Sequence, residues 1–453
     1  MRGHATQWWM QRVRAAAGGV ALLAVLAGCG NPSPGRTSVL LVVVDTLRAD
    51  RVTGPTSETI SPELTAWIES GRRYRHAFAP SPWTLPSFAS LYTGRFPLRH
   101  GAGVVVQREG ERDFTRLDEG VATLAERLQA HGYATGAIVG NAALAPEFGM
   151  ARGFDGYDYA PATNAFTRRA DTVVDRATAW IDLQTGRPFF LVVHLFDPHM
   201  NYDAPPPFRG RFTAELHSQR KLPVDAAREI RDAPGRVAPP ERRFIAAAYD
   251  EEVAFAAAQV SRLLAALAAR GLLEHGLVIL TSDHGEEHFE HGGFEHGHAF
   301  WQEVVHLPLV FWGAGIAAGD EPAPVSLVDL APTILEAVGA EPIDASDGTS
   351  LWANLTGGSA LAPRPLFVEG TLYGPEQRAV IRWPHKLVWN VESGASQLYE
   401  LASDPRELTP LDDPERAKAL AAELRERVVE SPGTSAELDP KTLKALRELG
   451  YAE

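Results

Sequence analysis

The chain has 453 residues, a mass of 49.1 kDa and a formal net charge of −14. Apolar residues make up 45% and charged residues 22%, which excludes a chain disordered over most of its length. A single cysteine, Cys29, excludes a disulfide scaffold, and the acidic balance offers no basic face for nucleic acid.

The first element is a targeting segment. Arg12 and Arg14 precede an apolar run from Ala15 to Gly28. The run is shorter than the ~20 residues a spanning helix needs. Basic flank, short apolar core and small residues read as a secretory signal over residues 1–28. Leu26-Ala27-Gly28-Cys29 resembles the lipobox of bacterial lipoproteins, in which Cys29 is lipidated and becomes the new N-terminus. A plain signal with an incidental cysteine is the alternative. Residues 29–37 then form a polar tether. The expectation is an exported body, lipid-anchored to the bacterial cell envelope and facing the periplasm. No later uninterrupted apolar run reaches about 18 residues.

Val39–Val44 is apolar at every position, the pattern of a strand buried on both faces of a parallel sheet. Ala137–Val139, Phe189–Val193, Leu277–Leu280 and Leu307–Phe311 repeat it. Helical patterns over Val121–Ala130, Asp171–Leu183 and Phe244–Ala269 alternate with them, which predicts an α/β fold with a mostly parallel sheet flanked by helices. Residues 203–240, rich in proline and charge, read as a long excursion near the site, a candidate lid. Beyond about residue 370 come short strand-like runs, Ala379–Arg382 and Lys386–Trp389, and a terminal helix, Asp412–Val429. The catalytic body is expected over 38–370 and a small α+β subdomain over 371–453.

In open α/β sheets ligands bind beyond the carboxyl ends of the strands. Val39–Val44 ends in Asp45. Phe189–Val193 ends in His194, with Asp197 and His199 just beyond. Leu277–Leu280 leads into Asp283 and His284. Asp45, Asp283 and His284 together suit one divalent metal ion with mixed oxygen and nitrogen ligands, and calcium, magnesium, manganese and zinc all remain open. Pro86 suits the first turn of a helix and Gly94 its end, so Thr84 falls at a helix N-terminus. It is either a capping residue or a nucleophile favoured by the helix dipole and a nearby metal. His284, His288, His291, His296, His298 and His306 cluster among glycines, as in a loop folded over the site. An imidazole there suits a general acid.

Taken together these residues resemble the sulfatases of the alkaline phosphatase superfamily, from about Val39 to Leu408. The resemblance rests on Val42-Val43-Val44-Asp45-Thr46-Leu47-Arg48-Ala49-Asp50, Thr84-Leu85-Pro86-Ser87, Leu91-Tyr92-Thr93-Gly94-Arg95, Gly153-Phe154-Asp155, Asp197-Pro198-His199 and Thr281-Ser282-Asp283-His284-Gly285-Glu286. Lys386-Leu387, Leu398-Tyr399-Glu400-Leu401 and Asp404-Pro405 extend it to the C-terminal subdomain. It implies an alkaline-phosphatase-like α/β sandwich. Asp45, Thr84, Asp283 and His284 would be metal ligands and Thr84 the nucleophile. His199 and His298 would act at the leaving group, and Asn141, His194 and His296 would bind substrate. The family's maturation motif is Cys or Ser, any residue, Pro, any residue, Arg. Here it reads Thr84-Leu85-Pro86-Ser87-Phe88, so formylglycine is not expected. Asn141 stands where the family often has lysine. The implied function is a hydrolase of small-molecule or glycan sulfate or phosphate esters. The alternatives are a phospho-headgroup transferase or phosphodiesterase of the same superfamily, or an inactive binding lipoprotein.

Overall fold

Val39–Val44 is buried at every residue and lies inside a nine-stranded sheet. The computed structural model describes residues 37–106, 112–163, 168–216, 224–427 and 433–452. The signal segment, Cys29 and most of the tether lie outside the described residues. Across the sheet the order is His306–Leu307, Arg72–Phe78, Leu309–Gly313, Leu277–Ser282, Val39–Val44, Phe189–Leu195, Ala134–Val139 and Gly156–Tyr159, with Gly319–Ser326 also pairing with Arg72–Phe78. The five strands from Leu277–Ser282 to Gly156–Tyr159 are mutually parallel. This is the expected α/β architecture.

Strand alternation sorts the apolar side chains into two cores. Val39, Leu41, Val43, Phe190, Val192, Leu277 and Ile279 join the core containing the helix Thr84–Thr93. Leu40, Val42, Val44, Leu191, Val193, Val278 and Leu280 join the opposite core, with the helices Ala170–Asp182 and Pro239–Ala269. The second of these helices has 31 residues and is long and apolar enough to cross a membrane. Its Val253, Val260, Leu263, Leu264 and Leu267 are instead buried in the protein core.

Several boundaries differ from the sequence expectation. Leu307–Phe311 is not one parallel strand. The backbone divides at Pro308, which has no N–H for a ladder, and both pieces pair antiparallel. Arg72–Phe78 was not anticipated, because Arg72, Arg73 and Arg75 conceal a strand in which Tyr74, Ala77 and Phe78 are buried. The predicted helix at Val121 starts at Leu124, where Thr123 and Glu126 form a reciprocal cap. The 203–240 excursion contains a helix, Val224–Asp232, and a short 3-10 turn, Pro234–Arg236.

A small antiparallel sheet, Leu366–Glu369, Gln377–Arg382, His385–Asn390 and Ser396–Glu400, carries the helix Pro414–Glu426 on a core of Val380, Leu387, Leu398, Leu420 and Leu424. That helix is not the last one. Pro440–Glu448 follows, and Leu446, Leu449 and Tyr451 return to the large core beside the Thr84 helix.

Candidate active site

Parallel pairing brings the candidate ligands together. Val44 is level with Ser282, so Asp45 and Asp283 each leave their strand one residue later on neighbouring strands. Both continue the alternation on the face that carries the Thr84 helix. Val43 is level with His194, which lies within the strand Phe189–Leu195 rather than beyond it, and on that same face. The turn after Asp45 is bent. Thr46 has φ 54°, costly for a β-branched residue. Tyr249 of the long helix holds it, donating its hydroxyl to the Thr46 carbonyl and accepting from Arg48 N. Ser282 Oγ accepts from Leu47 N and donates to the His284 carbonyl, joining the two metal-side turns. A Cβ on Gly285 would lie 2.1 Å from the Glu303 carbonyl oxygen, so only glycine lets this turn pack against the histidine loop.

Asp45, Thr84, Asn141, His194, Asp283 and His284 are all 0% exposed. His284 Nδ1 lies 3.0 Å from the Gly285 carbonyl, which can only accept, so the ring proton sits on Nδ1 and Nε2 presents a lone pair. That Nε2 is 3.6 Å from Asp45 Oδ1 and 3.4 Å from Asp283 Oδ2. Both oxygens are buried without a hydrogen-bond partner. Three ligand-type atoms therefore converge with no hydrogen bond among them, an arrangement that a divalent cation satisfies. The residues fit a metal. Asp45, His194 and Asp283 likewise offer one ligand atom each within 4.8 Å. Yet Gly140 N donates to His194 Nδ1, which puts the His194 proton on Nε2 as a donor to Asp45 Oδ2 at 3.2 Å. His194 orients Asp45 rather than offering a lone pair.

The electrostatics agree. Burial pushes Asp45 up, but the His194 hydrogen bond and neighbouring imidazoles outweigh it and hold its pKa at about 2. Burial, and then the Asp45 charge, push Asp283 well above the usual carboxylate range. Burial lowers the pKa of His199, His284 and His296.

Thr84 opens the ten-residue helix Thr84–Thr93, which ends at Gly94 in the left-handed conformation, as Pro86 and Gly94 imply. Thr84 Oγ1 lies 3.2 Å from His284 Nε2. Asn141 Oδ1 accepts from Ala143 N, which turns its amide nitrogen into the site. There Nδ2 donates to Asp45 Oδ2 at 2.8 Å and to Thr84 Oγ1 at 3.1 Å. Phe88, where the family motif has arginine, is fully buried and packs edge-on against the His194 and Tyr92 rings. Ser87 Oγ donates to the Asp283 carbonyl at 2.6 Å and is a structural tie.

The histidines divide. His199 and His296 reach the site, with ring centroids 5.2 Å apart and His296 4.3 Å from His284. His298 does not join this cluster. Its Nε2 pairs with Glu287 Oε2 at 2.8 Å, on the wall of an adjoining cavity. Sequence reasoning missed Tyr451. Its hydroxyl is 3.0 Å from His199 Nε2, 3.3 Å from Asn141 Nδ2 and 3.5 Å from Thr84 Oγ1. The helical spacing of Leu443, Leu446 and Leu449 just before Gly450-Tyr451 was the available signal.

A family model described as Sulfatase matches residues 37–340. The chain belongs to the sulfatase family. Membership makes this sulfatase-family chain an ester-bond hydrolase of the sulfuric or phosphoric ester class. It is 24% identical over 464 residues to arylsulfatase K of Xenopus laevis, covering 90% of this chain and 85% of that protein. It is 29% identical over 419 residues to arylsulfatase A of Bos taurus, covering 79% and 75%. Among solved structures, the phosphonate monoester hydrolase of Agrobacterium radiobacter shares the fold at TM-score 0.69 and 20% identity, covering 86% of this chain and 95% of that one. A protein solved in complex with its substrate D-glucosamine-2-N,6-O-disulfate shares it at TM-score 0.66 and 19% identity, covering 86% and 97%.

Proposed function

We propose that this chain is a metal-dependent hydrolase of sulfate or phosphate esters in which Thr84 supplies the nucleophilic oxygen. One observation carries the reading: Thr84 Oγ1 lies at hydrogen-bond distance from the His284 lone pair that faces the unpartnered oxygens of Asp45 and Asp283. Those three side chains would hold one divalent ion, with Thr84 beside it. The ion, when bound, supplies positive charge against the ester's anionic oxygens.

The chain's own residues perform the rest. Asn141 Nδ2 donates to Thr84 Oγ1 and stands ready to donate to a non-bridging ester oxygen. Thr84 sits at the positive end of its helix dipole, which favours the anionic group under attack. Attack forms the bond from Thr84 Oγ1 to sulfur or phosphorus and breaks the bond to the leaving oxygen. The Thr84 proton has to end on that leaving oxygen. His199 Nδ1 lies 2.8 Å from the Met200 carbonyl, so its ring proton is there and Nε2, which meets the Tyr451 hydroxyl at 3.0 Å, offers the lone pair that carries the transferred proton. Water then attacks the sulfur or phosphorus and its bond to Thr84 Oγ1 breaks; the same Nε2 takes the water's proton and returns it to Thr84 Oγ1.

Sulfated saccharides are the substrate class we favour, because a structural neighbour was solved with a sulfated glucosamine as its substrate. Cys29 would carry the lipid, holding the enzyme at the envelope surface toward the periplasm. The experiment is turnover of aryl sulfate, aryl phosphate and bis-aryl phosphate by the full chain, with intact-mass trapping of an adduct. The reading expects turnover of at least one ester, lost in Thr84→Ala, and a mass increment on Thr84. Equal activity of Thr84→Ala would remove Thr84 from the chemistry. No turnover of any ester would leave the binding lipoprotein.

A further inference from the structure

The groups that should meet the ester do not line the adjoining cavity, which is large enough to hold a substrate. A cavity of about 1130 Å³ is lined by Arg228, Arg231, His298, Tyr373 and Tyr451, among others. Thr84, Asp45, Asn141 and His199 do not line it. Tyr451 separates the two. It is 3% exposed, with one side on the cavity and its hydroxyl among Thr84, Asn141 and His199.

The position of that hydroxyl matters. A productive complex places the reacting atom about 3–3.5 Å from the nucleophile. The Tyr451 oxygen lies 3.5 Å from Thr84 Oγ1 and 3.0 Å from His199 Nε2, between the attacking oxygen and the proton carrier. A sulfuryl or phosphoryl group and this phenol cannot occupy that place together. Tyr451 therefore cannot assist the reaction from where it sits.

The backbone around Tyr451 is built to hold it there and also to release it. Tyr451 N donates to the Leu446 carbonyl at 2.9 Å, closing the end of the helix Pro440–Glu448. Gly450, at φ +80°, makes the turn that aims the ring inward. The outer anchors belong to the cavity wall. Tyr373 donates its hydroxyl to the Gly450 carbonyl, and Arg228 donates to the Ala452 carbonyl at 3.1 Å and the Arg447 carbonyl at 3.4 Å. These are the same donors that an oxygen-rich substrate filling the cavity would engage.

We propose that residues Gly450–Ala452 form a strap that competes with substrate: Tyr451 occupies the place of the ester group and withdraws before turnover. This rests on the hydrolase reading of the site. Binding to a protein that is open only a fraction of the time is weakened by that fraction. The strap therefore raises KM and leaves kcat unchanged. Substrates whose remainder takes hydrogen bonds from Arg228 and Tyr373 displace it better than compact aryl esters do.

The test compares the full chain with Tyr451→Ala and with a chain lacking residues 450–453. The first readout is independent of activity: carbethoxylation of His199 by diethylpyrocarbonate, followed by peptide mass mapping. The strap predicts that His199 reacts at least about tenfold faster in both variants. The second is 4-nitrophenyl sulfate turnover, where KM falls at least about tenfold at constant kcat. Tyr373→Phe, which removes one outer anchor, shifts both readouts in the same direction by less, and keeps the test open if Tyr451→Ala does not fold. Unchanged protection of His199, or a KM that is unchanged or higher, overturns the strap. Absence of turnover in every form defeats the hydrolase reading, while His199 protection still decides the strap.

Discussion

Two clusters among the described residues hold a histidine between carboxylates, and they differ in one respect. At the strand ends, Asp45 Oδ1 and Asp283 Oδ2 are buried without partners around the His284 lone pair. In the histidine loop, Glu287, His291 and Glu303 also bring three ligand atoms within 4.8 Å of one another. There, however, Glu287 Oε1 accepts from His291 N and Gly293 N, its Oε2 pairs with His298, and His291 bridges Glu303 and the Arg406 carbonyl. The second cluster is internally satisfied and needs no ion. The first leaves two buried carboxylate oxygens without a hydrogen-bond partner, which a bound cation would satisfy. Ligand-type residues at short spacing are common; unpaired, buried lone pairs converging on one point are what distinguish a metal site.

The largest expected effect separates chemistry from binding within the first cluster. Thr84→Ala should lower kcat at least about 10³-fold while metal content stays at the wild-type level. Retained turnover would take the nucleophile away from Thr84. Asn141→Ala removes the amide that donates to Asp45 and Thr84, and should lower kcat by about 10²-fold with the ion still bound. A change confined to KM would make Asn141 a substrate-binding group only.

A third contrast concerns stability. In chelator-treated protein the strand-end carboxylates repel across a dry site, so Asp283→Asn should raise the unfolding free energy by about 1–2 kcal/mol. With metal present the order should reverse, because binding to the native state stabilises only a protein that can bind. An Asp283→Asn variant less stable in both conditions would show that the carboxylates are not in conflict.

The smallest effect belongs to the satisfied cluster. His291 stacks on Trp301 at 3.9 Å and pairs with Glu303 at 2.7 Å. Burial lowers its pKa, but the Glu303 hydrogen bond and charge outweigh this and raise it above 6.5. A raised folded pKa gives stability that is complete below pH 6.5 and is lost as pH rises through the folded value. His291→Gln should therefore cost more at pH 6 than at pH 9, by at most about 1 kcal/mol given its partial exposure to solvent. Equal costs at both pH values in denaturant titrations would remove the ion pair.

The same contrast explains what could be read in the sequence. Asp45 and Asp283 were legible because buried parallel strands announce themselves as unbroken apolar runs, and alternation carries the next side chain to a fixed face. Thr84 was legible through Pro86 and Gly94. His194 was visible but mispositioned, since a polar residue inside a strand resembles a strand end. Arg72–Phe78 was hidden by its arginines, and the antiparallel turn of Leu309–Gly313 depends on pairing that no local pattern encodes. Whether a histidine offers a lone pair or a proton depends on distant partners, Gly140 N for His194 and the adjacent Gly285 carbonyl for His284. Tyr451 was missed because its contacts with Asn141 and Thr84 span hundreds of residues.

The central claim is most directly tested by metal stoichiometry in three purified full-length forms, measured by elemental mass spectrometry after equilibration with calcium, magnesium, manganese and zinc and removal of free ion. The account predicts about one ion per chain in the wild type and in Glu303→Ala, and none in Asp283→Ala. Loss of the ion in Glu303→Ala with retention in Asp283→Ala would contradict it.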